Sequence, residues 1–266
     1  MPIYQDPLGR QVVLPAVPER IISLVPSQTE LLFYLGLDES VIGITKFCVH
    51  PVEWFRNKTR IGGTKKLDIE KIRSLKPDLI IANKEENLKD EIEALADLFP
   101  VWISDIVKMA DSYEMIRTVG AITGKQSEAD LLVQEIEKGL GELIQERRKK
   151  NICIKTAYLI WKDPYMSVGG DTFIHEIMQL AGFENVLGDQ NRYPVADIEM
   201  LRKKNTELIL LSSEPYPFRE KHIAEFTKLL PDCRVLLADG EIFSWYGSRL
   251  LHAPGYIRSL WEQLDK

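Results

Sequence analysis

Short, unbroken apolar runs alternate with longer stretches of helical period along almost the whole chain. Residues 20–25, RIISLV, form one such run, and Pro26 closes it. Apolar runs without polar alternation predict strands buried on both faces of a parallel sheet. Ser27 and Glu30 stand at capping-box spacing for a helix that carries Leu31, Leu32 and Leu35, with Gly36 as its stop. A strand follows at 41–45. The alternation continues through a strand at 78–82, a helix at 88–98, a strand at 101–103 and a helix at 109–123. Beyond residue 151 it resumes with strand 155–161, helix 172–181, helix 219–229, strand 234–238 and a last helix at 252–264. Residues 1–19 hold turn formers without a sustained period and read as a lead-in packed on the first lobe. The pattern is that of an α/β protein.

Residues 127–150 break the rhythm. The stretch has no proline, Ser127 and Asp130 at its start, and Glu146 followed by Arg147, Arg148, Lys149 and Lys150 at its end. Early acid and late base both suit the helix dipole. Leu132, Ile136, Leu140 and Leu143 make one apolar stripe. A single helix here spans about 36 Å, the width of a small domain. It divides the chain into an N-terminal α/β lobe (1–125), a backbone helix (126–151) and a C-terminal α/β lobe (152–266). The basic run reads as a solvated helix end. Gly139 and Gly141 are separated rather than paired, so the helix predicts only a small hinge motion on ligand binding.

The two lobes look related. Residues 67–86, LDIEKIRSLKPDLIIANKEE, return in altered form as residues 196–215, ADIEMLRKKNTELILLSSEP. Aligned without a gap, Asp68, Ile69, Glu70, Arg73, Leu79, Ile80 and Glu85 meet Asp197, Ile198, Glu199, Arg202, Leu208, Ile209 and Glu214. Each copy predicts a short helix opened by acids, then a buried strand. A cleft between two such lobes is a favoured ligand site, which turns the question from catalysis toward binding.

Composition narrows the function further. A chain of 266 residues with 45% hydrophobic and 28% charged residues is an ordinary globular protein. Its net charge of −6 argues against nucleic acid as a partner. No apolar run approaches the roughly 20 residues that cross a bilayer. The opening MPIYQDPLGRQVVLP has no basic stretch before an apolar core, so no signal peptide is visible, and either a cytosolic protein or a removed leader fits. Cys48, Cys153 and Cys233 are too few and scattered for a disulfide framework and read as reduced thiols. There is no GxSxG, HExxH, P-loop or CxxC pattern. The glycine turns at 60–64 (RIGGT) and 168–171 (VGGD) read as loops approaching the cleft.

Several segments together resemble a known family. They are RIISLVPSQTE at 20–30, VIGIT at 41–45, LDIE at 67–70, KPDLII at 76–81, the backbone helix, AGFEN at 181–185 and DIE at 197–199. As an ordered set they resemble the periplasmic substrate-binding proteins that serve ABC importers of cobalamin, haem and iron siderophores. The resemblance spans about residues 11–264. It implies two α/β lobes joined by one long helix, a ligand cleft between them, no catalysis, no intrinsic cofactor, and a metal chelate as the transported ligand. It also implies an ABC permease as partner, a monomeric state, and a periplasmic or cell-surface location. Glu70 and Glu199 match the acids, one per lobe, that dock onto arginines of the permease. Each also fits a first-turn acid that interacts with its helix dipole.

Ligand contacts are less settled. Phe47 falls where cobalamin-binding members carry an aromatic pocket residue, and Tyr193 falls near another. Thr64 and Asn83 stand where those members have tryptophans, a departure from corrin stacking. In the second lobe Trp161, Tyr165 and the segment 241–249 (EIFSWYGSR), with Trp245, Tyr246 and Arg249, suit a flat or anionic ligand. Phe243 and Trp245 fit a packing role equally. Cys48 and His50 are a weak candidate pair of metal ligands, without a third group in sight. Lys46, Lys65 and Lys84 lie near predicted strand ends, where they could attract an acidic ligand or be solvated. Two other functions remain: a cytosolic enzyme or metal-chelate handler on the same fold, and a sensor subunit reporting ligand to a protein partner.

Overall fold

The computed structural model describes residues 2–264. Met1, Asp265 and Lys266, the ends of the first and last expected segments, lie outside the described residues. The chain divides into two compact units. The first comprises the residues up to 106, 110–134 and 246–249; the second comprises 107–109, 135–245 and 250 onward.

In the first unit the elements run β1 (Ile3–Gln5), β2 (Gln11–Val13), β3 (Ile21–Ser23), α1 (Pro26–Tyr34), β4 (Val41–Ile44), α2 (Val52–Asn57), β5 (Thr59–Arg60), β6 (Gly62–Gly63), β7 (Lys66–Leu67), α3 (Ile69–Leu75), β8 (Leu79–Asn83), α4 (Lys89–Ala96), β9 (Val101–Ser104) and α5 (Met109–Ile122). A five-stranded sheet in the order β5-β4-β3-β8-β9 pairs all its strands in parallel. Every residue of β3, β8 and β9 is buried, as expected for strands covered on both faces. Ile22, Leu24, Ile80, Ala82, Ile72 and Leu95 form the core beside it.

One local expectation is corrected, and another, the lead-in packed on the first lobe, gains a definite form. Helix α1 has no capping box: its N-cap is Val25, with no side-chain cap, and Pro26 is its first residue. Proline suits that position because its missing N–H is one the helix leaves unpaired anyway. Ser27 therefore sits inside the helix, and Glu30 forms an ion pair elsewhere. The lead-in is a β-hairpin in which β1 and β2 pair antiparallel. The Asp6 carboxylate accepts from Leu8 N, Arg10 N and Arg10 Nε, and Gly9 turns at φ 80°. Tyr4 Oη donates to Ala121 O and Arg10 to Val101 O, which ties the hairpin to α5 and β9.

Helix α6 (Gln126–Lys150) is continuous. Its basic end is engaged in the second unit rather than simply solvated: Arg147 donates to Gln179 O, and Lys150 Nζ lies 5.7 Å from the centre of the Trp261 ring. Glu146 pairs with Arg258 at 2.7 Å. The remaining elements are β10 (Ile154–Leu159), α7 (Phe173–Ala181), β11 (Phe183–Asn185), α8 (Ile198–Lys203), β12 (Leu208–Ser212), α9 (Glu220–Leu229), β13 (Arg234–Ala238), α10 (Gly240–Ser244), a 3-10 turn (Ser248–Leu251) and α11 (Ala253–Leu264). Four parallel strands lie in the order β11-β10-β12-β13, packed on Leu201, Phe218 and Phe226.

The sequence repeat has a structural counterpart. Asp68 caps α3 by accepting from Lys71 N at 3.1 Å, and Asp197 caps α8 by accepting from Met200 N at 2.8 Å. Aspartate at this position satisfies an N–H that the helix cannot, worth about 1 kcal/mol. The strands that follow, β8 and β12, occupy matching places in the repeat and are buried throughout.

Candidate functional site

In a parallel sheet the loops leaving the carboxyl ends of the strands share one edge, where α/β proteins bind ligands. In the first unit Phe47 stands on such a loop, three residues after β4, and is 51% exposed. The β6–β7 hairpin supports it. A Cβ at Gly63 would come within 3.1 Å of the Phe47 ring, so the ring sits close over this glycine. Gly62, at φ 100°, takes a conformation that glycine alone adopts readily. The 60–64 turn thus serves as a bed for an exposed ring. Lys46 Nζ lies 5.1 Å from the centre of that ring, adding positive charge beside it.

Beneath this surface runs a buried polar layer. Asn83 Nδ2 donates to Ser104 O at 3.2 Å, and its main-chain N–H donates to Asn87 Oδ1 at 2.9 Å. Asn87 in turn donates to Thr64 O at 3.1 Å, and Gln28 Nε2 donates to Ser104 Oγ. Thr64 and Asn83 are both buried, so these residues brace the loops. Lys65 is held by the Glu85 carbonyl and Lys84 by Asp105, which leaves Lys46 as the lysine of the three set against the exposed ring.

Cys48 is fully buried, with Thr29 Oγ1 and Thr45 Oγ1 each 3.1 Å from its Sγ. Burial pushes its thiol above the usual range, which opposes the thiolate that a soft metal requires. Among the described residues no cluster of three His, Cys, Asp or Glu is placed to hold a metal ion. The Cys48 and His50 pair is accordingly corrected to a packed thiol and its neighbour.

In the second unit Trp161 follows β10 and is 41% exposed. Its ring meets Tyr216 edge-on at 5.9 Å, and its carbonyl accepts from Met166 N at 3.1 Å. Tyr193 is also exposed, with the Arg192 guanidinium 5.4 Å from its ring centre. Tyr165 presents less. Its Oη donates to the Glu225 carboxylate, its ring packs 4.8 Å from Phe226, and burial followed by Glu225 pushes the phenol upward. Lys162 Nζ donates to the same carboxylate at 2.7 Å and holds it below the usual carboxylate range.

The segment 241–249 is packed rather than presented. Trp245 is 8% exposed, and its Nε1 donates to Glu214 Oε1 at 3.0 Å. Phe243 is fully buried, 4.9 Å from Tyr158. Tyr246 is buried in the first unit, where burial pushes its phenol upward. Arg249 grips Glu30 through two bonds, Nη2 to Oε1 at 2.7 Å and Nε to Oε2 at 3.0 Å. Its fork is already filled by a carboxylate of its own chain. The expectation of Trp245 as an exposed ring and Arg249 as an open anion clamp is corrected on these contacts. The 168–171 turn is a close backbone approach: a Cβ at Gly169 or Gly170 would strike the backbone of Gln190 or Gly188.

Glu70 and Glu199 lie in the first turns of α3 and α8, with side chains 83% and 78% exposed. Each pairs with a base on its own helix, Arg73 at 3.2 Å and Lys203 at 3.8 Å. Such exposed pairs are weak and leave a carboxylate accessible to a partner.

A model of the periplasmic binding protein family matches residues 21–232. The chain belongs to the periplasmic binding protein family. An uncharacterised ABC transporter substrate-binding lipoprotein of Bacillus subtilis, YvrC, is 29% identical over 217 residues, covering 77% of this chain and 67% of that protein. The vitamin B12-binding protein of Pectobacterium carotovorum is 24% identical, covering 92% of this chain and 88% of that one. The crystal structure of the periplasmic vitamin B12 binding protein BtuF of Vibrio cholerae aligns with a TM-score of 0.80 at 22% identity, over 95% of this chain and all of that one. The apo haem-binding protein RhuT of Roseiflexus sp. RS-1 aligns at 0.78 and 20% identity, over 91% and 96%. At these identities the structures establish the fold. For this member of the family, membership favours a receptor over a cytosolic enzyme.

Three features of the site have no sequence signal: the Glu30–Arg249 pair, the Glu225 clamp on Lys162 and Tyr165, and Tyr216 beside Trp161. His222 had a partial one. It stands at the third position of α9, which opens at Glu220 after the N-cap Arg219, a place where a side-chain acceptor can cap the chain.

Proposed function

We propose that the protein is the substrate-binding component of an ABC importer and carries a metal chelate such as cobalamin, haem or an iron siderophore. The observation behind this reading is the set of exposed aromatic residues on loops beyond the sheets, Phe47 in the first unit and Trp161 and Tyr193 in the second. Exposed rings on braced loops offer large contact area at low entropy cost to a flat, partly apolar ligand. Lys46 and Arg192 beside the rings suit a ligand with acidic edges. The relatives named for vitamin B12 and haem support the chelate class. Binding is the whole activity in this reading, without catalysis and without a resident cofactor.

Delivery follows through Glu70 and Glu199, which engage basic residues of the permease. The protein works outside the cytoplasmic membrane, as a monomer. Native mass spectrometry of protein purified from its own source tests the reading. The expected result is a one-to-one adduct whose mass and isotope pattern identify a metal chelate. A bound peptide or sugar in that place would refute the chelate class.

A further inference from the structure

We propose that His222 is a positioning residue whose neutral ring caps α9 and so fixes the Trp161 surface, making that surface acid-sensitive. The geometry sets the tautomer. Arg219 N–H donates to His222 Nδ1 at 2.9 Å, while His222 N–H donates back to Arg219 O at 2.8 Å. Nδ1 is therefore an acceptor, and the ring proton sits on Nε2, 3.4 Å from Tyr216 Oη. The ring is buried, with the edges of Phe218 and Tyr216 at 5.3 and 5.7 Å.

From this cap two connections reach the aromatic surface. Tyr216, held against the imidazole, is the ring that meets Trp161 edge-on. One turn further along α9, Glu225 holds Lys162 and Tyr165, one and four residues after Trp161. Residues 161–165 are thus fastened to α9 at two points, and His222 orders the end of the helix that carries both.

Protonation would undo this. A proton on Nδ1 would face the Arg219 N–H donor head-on, losing the cap and leaving a buried charge. Burial is the main force holding the ring's pKa below its ordinary value. Lys162 and Lys221 add to it, Glu225 opposes it, and Arg219 faces the ring through its backbone. Because the folded ring resists the proton that the unfolded ring accepts near pH 6.5, the stabilisation is intact above about that pH. It is lost as pH falls through the lower, folded value. The consequence for ligand rests on the aromatic surface proposed above; the cap itself does not.

Hydrogen exchange on the intact protein tests it, with wild type compared to His222→Gln between pH 7.5 and 5. Glutamine at this helix position keeps an acceptor for the cap but does not titrate. After correction for intrinsic exchange, segments 160–166 and 219–226 of wild type should lose protection on acidification. The loss should approach tenfold per pH unit between about pH 6.5 and the ring's lower, folded pKa, and level off below it. The Gln variant should hold its protection. An equal response in both proteins, or none in wild type, overturns the proposal. If the Gln variant fails to fold, NMR titration of His222 decides: a ring that titrates at or above 6.5, or carries its proton on Nδ1, overturns it. Haemin titration of the same proteins reads the consequence. A severalfold acid weakening should occur in wild type beyond any in the variant. Matched haemin curves with divergent exchange would fault the ligand surface and leave the cap standing.

Discussion

Replacing both Glu70 and Glu199 by lysine should abolish ligand uptake by vesicles that contain the cognate permease and ATPase, while ligand affinity stays at the wild-type value. Each carboxylate is more than three-quarters exposed and pairs with a base on its own helix. Reversal therefore removes little from the fold beyond the first-turn dipole interaction, about 0.3–1 kcal/mol for each helix. At a permease surface of basic residues it turns two attractions into two like-charge contacts, costing several kcal/mol. Wild-type association should weaken as salt rises, because exposed charges are screened beyond about 8 Å at physiological ionic strength. Single reversals should fall between. Uptake by the double variant at the wild-type rate would remove the docking role and leave the repeat as a folding unit only.

Trp245→Ala should destabilise the protein by about 3–5 kcal/mol, the range for large aromatic truncations in a core. The indole is buried and anchored through Nε1 to Glu214, so truncation opens a void and removes a donor from a carboxylate that also accepts from Ser244 Oγ. Denaturant unfolding measures this. A loss below about 1 kcal/mol would mean the ring contributes little packing and would return Trp245 to the ligand candidates. Trp161→Ala provides the contrast. Its ring is 41% exposed, so stability should change little while ligand binding weakens.

The difference between those two tryptophans shows where the sequence stops informing. Trp161 closes a predicted strand and Trp245 stands in a segment read as a loop, and nothing local tells which of the two rings is buried. What buries Trp245 is a carboxylate 31 positions earlier, and what fills Arg249 is one 219 positions earlier. Such partners are set by tertiary packing and have no period to betray them. The strand at 78–82 was legible because full burial demands an unbroken apolar run, and the one at 234–238 because Val235, Leu236 and Leu237 form a shorter run. The caps at Asp68 and Asp197 were legible because the same acid opens both copies of the repeat. At α1 the same reasoning failed on one residue: Pro26 takes the first helical position, which moves the cap to Val25 and Ser27 inside the helix. The β1–β2 hairpin was missed because strands of three residues are too short to show alternation. Phe47 was reached through resemblance, and its close approach to Gly63, a residue that looked like an ordinary turn former, had no sequence signal.

The central claim is that this chain binds a metal chelate through the exposed rings of its two units. Equilibrium dialysis against cyanocobalamin, haemin, and ferric hydroxamate and catecholate siderophores tests it most directly, with wild type, Phe47→Ala and Trp161→Ala run side by side. The account predicts that one of these chelates binds wild type at a one-to-one ratio with submicromolar affinity. It predicts that each alanine variant loses about 1–3 kcal/mol of that binding, roughly 5- to 150-fold. Binding of no chelate in the panel, or binding of one with both alanine variants at full affinity, would contradict it.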